Sequence, residues 1–104
     1  MKTIYNENEA LDATCGTHLQ GYLYNTTYND LVAVLGEPTF DEPSGDDKTQ
    51  LEWVVKHDGF YFTIYDWKTY DREYTLTQLS QFNVGGKISA HNLIEAIEKA
   101  KANL

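Results

Sequence analysis

The sequence predicts a small α+β domain: an antiparallel sheet built on a central hairpin at about 49–68, with two helices on one face. Asp58-Gly59 is a dipeptide that readily supplies the two positive-φ residues of a type I′ turn. A two-residue loop there pairs Trp53 with Ile64 and gathers the apolar side chains of both strands on one face. An isolated hairpin with such a face is unstable in water, so helices must cover it. The 104 residues suit a single domain.

The first covering helix is predicted at about 28–35. Thr27 precedes the helix and Asp30 lies in its first turn, and the two have the spacing of a capping box. Gly36 suits the residue that ends a helix, and Pro38 prevents its continuation. Because the helix has only about two turns, packing must hold it in place.

The second covering helix is predicted at about 90–103, with Ser89 as its cap. Glu95 and Lys99 form an i,i+4 pair in the favourable order. One apolar stripe recurs at helical spacing: Ala90, Leu93, Ile94, Ile97, Ala100 and Leu104. This stripe is the best candidate to cover the hairpin.

The remaining segments are less clearly patterned. The pattern of residues 1–16 indicates a short strand followed by a loop or a poor helix. Residues 17–24 alternate as a strand, in which Gly21 marks a bulge. Residues 69–80 are polar and predict an excursion or the approach to a third strand, which follows at 79–84.

The charge distribution constrains the class of partner. The chain has 16 acidic and 8 basic residues, and residues 1–47 hold nine of the acids but one base. Such a field repels nucleic acid and anionic membranes and attracts basic surfaces, although acidic surfaces also simply keep proteins soluble. No apolar run approaches the roughly 20 residues that span a bilayer, and the first residues lack the apolar core of a signal peptide. A cytoplasmic protein is therefore expected.

The sequence offers no set of catalytic or metal-binding side chains. Cys15 is the sole cysteine, and its acidic neighbours oppose a reactive thiolate. No two histidines have metal-ligand spacing: His18, His57 and His91. Asp66 is interpreted as a strand-ending residue that binds backbone amides, with catalysis as the less favoured role. We therefore expect no enzyme activity, no metal and no cofactor.

Two further features suggest binding. Gly85-Gly86-Lys87 before a helix could hold an anion, but a tight turn that needs glycine torsions is the favoured interpretation. The hairpin's second face carries Tyr61, Tyr65 and Trp67, an amphipathic patch of the kind enriched at interfaces. Either this face is open or the N-terminal segment covers it.

Three segments also carry a resemblance: THLQGYLYNTTYNDLVAVLGEPTF, EWVVKHDGFYFTIYDWK and FNVGG. They resemble a group of small proteins of bacteriophages and marine viruses that share a G-Y before Y-x-x-L-V-x-x-x-G-x-P, an E-W strand, a D-G turn, T-I-Y-x-x-K and a final G-G. The resemblance covers about residues 16–100. Phe82-Asn83-Val84 stands here where a Trp-His often precedes the glycines, which argues against a role for that histidine.

The resemblance implies a viral accessory protein and no particular reaction. The expected function is non-enzymatic inhibition of a host protein, such as a CRISPR-type defence factor, in the host cytoplasm. The expected partner has a basic surface and contacts eight residues: Glu37, Asp41, Glu42, Asp46, Asp47, Tyr61, Tyr65 and Trp67. A homodimer through the second sheet face is a further expectation. The alternative is a protein that sequesters a nucleotide or cyclic nucleotide, with phosphate at Gly85, Gly86 and Lys87 and a base on Tyr65 or Trp67.

Overall fold

The structure is a computed structural model that describes residues 1–104. Its elements follow in this order: β1 (Lys2–Thr3), α1 (Glu7–Thr14), β2 (His18–Tyr24), α2 (Tyr28–Leu35), β3 (Glu52–His57), β4 (Phe60–Tyr65), α3 (Arg72–Thr77), β5 (Gln81–Gly86) and α4 (His91–Ala102). All strands join one antiparallel sheet in the order β1-β3-β4-β5-β2, which confirms the predicted α+β class. None of the helices has both the length and the apolar character needed to cross a membrane.

The central hairpin has the predicted turn and register. Asp58 and Gly59 adopt φ angles of 52° and 83°, as a type I′ turn requires. Trp53 lies opposite Ile64 in the neighbouring strand. The side chains of this face belong to a core of thirteen buried residues: Leu23, Leu31, Leu35, Leu51, Trp53, Val55, Phe62, Ile64, Phe82, Val84, Ala90, Leu93 and Ile97. The hairpin therefore supplies the sheet side of the main core.

Helix α2 has the predicted boundaries because its caps are encoded locally. The Thr27 hydroxyl accepts from the Asp30 N–H at 3.2 Å, and the Asp30 carboxylate accepts from the Thr27 N–H at 3.0 Å. Gly36 ends the helix with a φ of 86°, a conformation that favours glycine. Leu31 and Leu35 pack into the main core.

Helix α4 lies on the same side of the sheet, as predicted, but its cap differs. The helix begins after Ala90, which has no side chain able to accept a hydrogen bond, while Ser89 accepts from the His91 N–H at 3.3 Å one position outside. The prediction that Ser89 is the cap residue is therefore wrong by one position. Leu104 does not extend the apolar stripe, because it follows the end of the helix and is exposed.

Two segments form helices where the sequence signal was weak. Residues of α1 were predicted as a loop or poor helix, and α3 lies where an excursion or strand approach was predicted. Both helices are short and bury little: α1 buries Ala10 and Ala13, and α3 buries Thr75. Helix α1 packs against Ile4 and Val54, on the sheet face opposite α2 and α4. The helices therefore occupy both faces of the sheet.

Strand β2 is irregular where the sequence predicts a bulge. Its pairing with β5 shifts register between Leu19 and Gly21. A Cβ atom on Gly21 would lie 2.9 Å from the Ile94 side chain of α4, so the missing side chain lets the helix approach the strand. After the bulge Leu23 points into the main core, while Tyr22 faces the other side.

Candidate functional site

Helix α1 covers only part of the second sheet face. Its buried alanines pack near Val54 and Tyr61, over β3 and β4. Beyond the helix, side chains of β2 and of the segment after β4 are 36–58% exposed: Leu19, Tyr22, Tyr24 and Trp67. We call the uncovered part of this face, which is formed by β2, β4 and β5, the open face. Both sequence interpretations of the second face therefore hold for part of it.

A row of four side chains crosses the sheet at the boundary of the open face. Glu52 of β3 lies opposite Tyr65 of β4, Tyr65 lies opposite Asn83 of β5, and Asn83 lies opposite Tyr22 of β2. Directly opposite residues point to the same face and interact. The row therefore joins a carboxyl, two phenols and an amide along a line of roughly 14 Å, given a strand spacing of ~4.8 Å.

The aromatic side chains of the open face contact one another in two pairs. The rings of Tyr22 and Tyr24 are 5.8 Å apart, and those of Tyr65 and Trp67 meet edge to face at 6.0 Å. The ammonium groups of Lys48 and Lys68 lie 5.9 Å and 5.7 Å from the Trp67 ring. The Trp67 ring therefore already attracts two cations of the chain itself.

The Glu52 carboxyl has the most strongly shifted pKa among the acids of the site. Burial raises the pKa of its carboxyl from 4.5 to about 7; the Thr63 hydroxyl opposes this shift, and the Asp66 carboxylate adds to it. Burial likewise raises the pKa of Tyr65, with Asn83 opposing the shift and Glu52 adding to it. None of the ion pairs in the structure includes Glu52. The carboxyl is therefore partly buried without a cation to balance its charge.

The Glu52 pKa predicts a pH effect on stability. A carboxyl whose pKa is higher in the folded state stabilises the fold below pH 4.5, and this contribution is lost as pH rises through about 7. Glu52→Gln should therefore raise the unfolding free energy by about 2–3 kcal/mol near pH 8 and by much less near pH 4.5. Urea unfolding at both pH values measures the difference.

The exposed Glu42 provides the control, because Glu42→Gln should change stability by less than about 0.5 kcal/mol at either pH. Equal effects of Glu52→Gln at the two pH values would contradict the assigned role of burial.

The five acidic residues predicted to bind a partner lie on the exposed segment 37–47. Three of them are engaged inside the chain: Asp41 pairs with Arg72, Asp46 accepts from Ser44 and pairs with Lys48, and Asp47 accepts from Gln50. The other two, which form no ion pair, are Glu37 and Glu42. Part of the predicted acidic surface is therefore neutralised locally.

The three predicted aromatic contacts do not form one group. Tyr65 and Trp67 are neighbours on the open face, as described above. Tyr61 lies next to α1, where its hydroxyl donates to the Glu9 carboxylate at 2.7 Å. The Lys56 ammonium lies 5.3 Å from the centre of its ring. Tyr22, which the sequence did not indicate as a contact residue, lies on the open face, whereas Tyr61 does not.

The two glycines predicted to form a tight turn instead end strand β5. Neither has a positive φ, so the expected need for glycine torsions is wrong. A Cβ on Gly86 would lie 2.8 Å from the Phe62 ring, and one on Gly85 would lie 3.0 Å from the Thr63 hydroxyl. Both positions pair with β2 and β4, which places them inside the sheet, while Lys87 is exposed beyond it.

The other two groups considered for catalysis, Asp66 and Cys15, form hydrogen bonds within the chain. Asp66 is fully buried and accepts from the N–H groups of Gln50 and Leu51, which is the favoured structural role. Cys15 is exposed, and its thiol donates to the Leu11 carbonyl at 3.5 Å. No three histidine, cysteine or acidic side chains converge in a group that could hold a metal ion.

Fold and site together define an α+β protein with one covered sheet face and one partly open, aromatic sheet face. Comparison with protein-family models, with curated proteins and with solved structures finds no match to this chain.

Proposed function

We propose that this is a non-enzymatic binding protein whose open face and acidic segment 37–47 engage a protein with a basic surface. The observation that carries the proposal is the exposure of Tyr22, Tyr24 and Trp67 on one face of a protein with a net charge of −8. Aromatic side chains of this kind are enriched where proteins bind each other, and the charge favours a basic partner. Glu37 and Glu42 form no ion pair within the chain, so their negative charges can attract that partner.

We propose further that the partner is a host protein and that binding inhibits it, as in viral counter-defence. This part rests on the resemblance to bacteriophage and marine-virus proteins. The alternative of a nucleotide-sequestering protein has less support, because Gly85 and Gly86 lie within the sheet instead of at a phosphate-binding turn. The net negative charge also opposes a phosphate ligand.

A triple variant tests the open face. Tyr22→Ala/Tyr24→Ala/Trp67→Ala should weaken binding of a partner captured from host lysate and then purified by about a hundredfold, because it removes the aromatic contacts. Titration calorimetry with the wild-type chain and the variant measures the loss. The wild-type affinity should also fall about tenfold or more between roughly 50 mM and 500 mM salt.

The matched control is Phe60→Ala/Ile88→Ala, which removes two side chains that are 50% and 40% exposed and lie near the hairpin tip. This double variant should bind like the wild-type chain. Three outcomes would refute the proposal: undiminished binding by the triple variant, an affinity that ignores salt, or a self-dimer that occupies the open face in solution. A thermal shift with cyclic nucleotides would favour the alternative.

A further inference from the structure

Glu52 lies where two accessible surfaces meet. It belongs to the row that leads through Tyr65 onto the open face. It also lines a cleft of about 270 Å³ between α1 and the segment after α2, together with Leu11, Thr14 and Glu42. A ligand can therefore approach this residue from outside the folded chain.

The groups around Glu52 provide no positive charge. From β4 and the residue after it come Thr63, Tyr65 and Asp66, which are neutral or acidic. Helix α1 contributes Leu11 and Thr14 to the cleft, and the charged side chain of the loop there is Glu42. A partly buried carboxylate without a cation is costly, so an external cation would be stabilised here.

We propose that Glu52 and Tyr65 together receive an arginine side chain of the basic partner. The inference rests on the proposed function and names the contact at its centre. Guanidinium is favoured over ammonium because it pairs with a carboxylate through two N–H groups and also stacks on an aromatic face. Asn83 and Tyr22 continue the row across the sheet, where they can contact the partner beside its arginine.

The contact makes binding depend on pH. Arginine stays charged throughout, whereas Glu52 must lose its proton to pair with it. Because the pKa of Glu52 is about 7 in the free protein, roughly a tenth of the carboxyls are ionised near pH 6 and most are ionised near pH 8. Affinity should therefore rise about five- to tenfold between these pH values, opposite to the stability effect of the same group.

A defined peptide tests the inference without the natural partner. The probe is an acetylated, amidated peptide of alternating glycine and arginine, and its binding is followed by the fluorescence of the exposed Trp67, since Trp53 is fully buried. The wild-type chain should bind about tenfold more tightly than Glu52→Gln near pH 8. The variant should also lose the pH dependence between about 6 and 8.

Three comparisons make the result specific. The same peptide with citrulline in place of arginine should bind at least about tenfold more weakly, and a lysine peptide should fall between the two. Glu42→Gln removes a carboxyl from the same cleft but should keep the pH dependence. Because Glu52→Gln is expected to be more stable than the wild-type chain near pH 8, its loss of binding will not reflect unfolding.

Equal affinity and equal pH dependence of Glu52→Gln and the wild-type chain would overturn the inference, as would absence of arginine-peptide binding by the wild-type chain. The proposed function would survive either result if the purified partner still required the aromatic side chains of the open face. If the triple variant bound that partner normally, the proposed function itself would fail. The two proposals are thus separately refutable.

Discussion

Asp66→Ala is expected to lower the unfolding free energy by about 3–5 kcal/mol, a large share of the stability of a small domain. The Asp66 carboxylate is fully buried and accepts four hydrogen bonds. Two come from the backbone N–H groups of Gln50 at 2.7 Å and Leu51 at 3.2 Å. Two come from the hydroxyls of Thr69 and Thr75, both at 3.0 Å. Alanine would leave the N–H groups of Gln50 and Leu51 without an acceptor, while the hydroxyls of Thr69 and Thr75 would keep only their contact with each other and the bond from Thr75 to the Asp71 carbonyl.

The four hydrogen bonds tie together three parts of the chain: the start of β3, the loop after β4 and helix α3. That loop holds Lys68 and Tyr70 at φ angles of 57° and 54°, which residues with side chains seldom adopt. Its conformation therefore depends on the Asp66 contacts. Asp66→Asn should also destabilise the fold strongly, since its amide NH₂ would face donors instead of accepting from them.

Chemical unfolding followed by circular dichroism measures these losses. The control is Asp58→Asn in the exposed hairpin turn, where asparagine tolerates the φ of 52° and the effect should stay within about 0.5 kcal/mol. If Asp66→Ala cost less than about 1 kcal/mol, the carboxylate would not be the structural centre that its hydrogen bonds indicate.

Trp53→Ala is expected to cost about 3–5 kcal/mol, because it removes the largest fully buried side chain of the core. The indole packs edge to face with Phe82 at 5.9 Å and lies 6.0 Å from the ring of Tyr28. Its Nε1–H donates to the Gly36 carbonyl at 2.9 Å, which joins the hairpin to the end of α2. Alanine would leave a cavity and remove this hydrogen bond.

Trp67→Ala is the matched control, because Trp67 is 47% exposed on the open face and should contribute less than about 1 kcal/mol. Trp53→Phe should have an intermediate effect of about 1–2 kcal/mol, since it keeps a ring in the core but loses the hydrogen bond to Gly36. Urea unfolding should show the largest loss of stability for Trp53→Ala, a smaller loss for Trp53→Phe and the smallest for Trp67→Ala. Equal costs for the two alanine variants would contradict the core position of Trp53.

The parts of the fold that could be predicted are those encoded by neighbouring residues. The turn at Asp58-Gly59 and the cap of Thr27 and Asp30 depend on torsions and hydrogen bonds within a few positions. Helix α1 had a local signal as well: Asn6 is a good cap residue, and its side chain accepts from the Glu9 N–H at 2.9 Å. That signal was weak because so short and polar a helix is stabilised mainly by packing.

The candidate site was predicted only in part. Tyr65 and Trp67 were assigned to the second face correctly, since side chains alternate along β4. Tyr22 was missed because the bulge before it decides which residues of β2 face the core. Glu52 was not among the predicted site residues, because its burial depends on distant segments that pack around β3.

The hairpin, its register, helix α2 and the excess negative charge are therefore encoded locally, because each follows from backbone torsions, side-chain alternation or composition. Long-range packing, in contrast, sets which half of the second face stays open and which acid becomes partly buried. These properties depend on where α1 and the loop after α2 settle on the sheet. A carboxyl pKa near 7 arises from that burial, and no pattern around Glu52 in the chain encodes it.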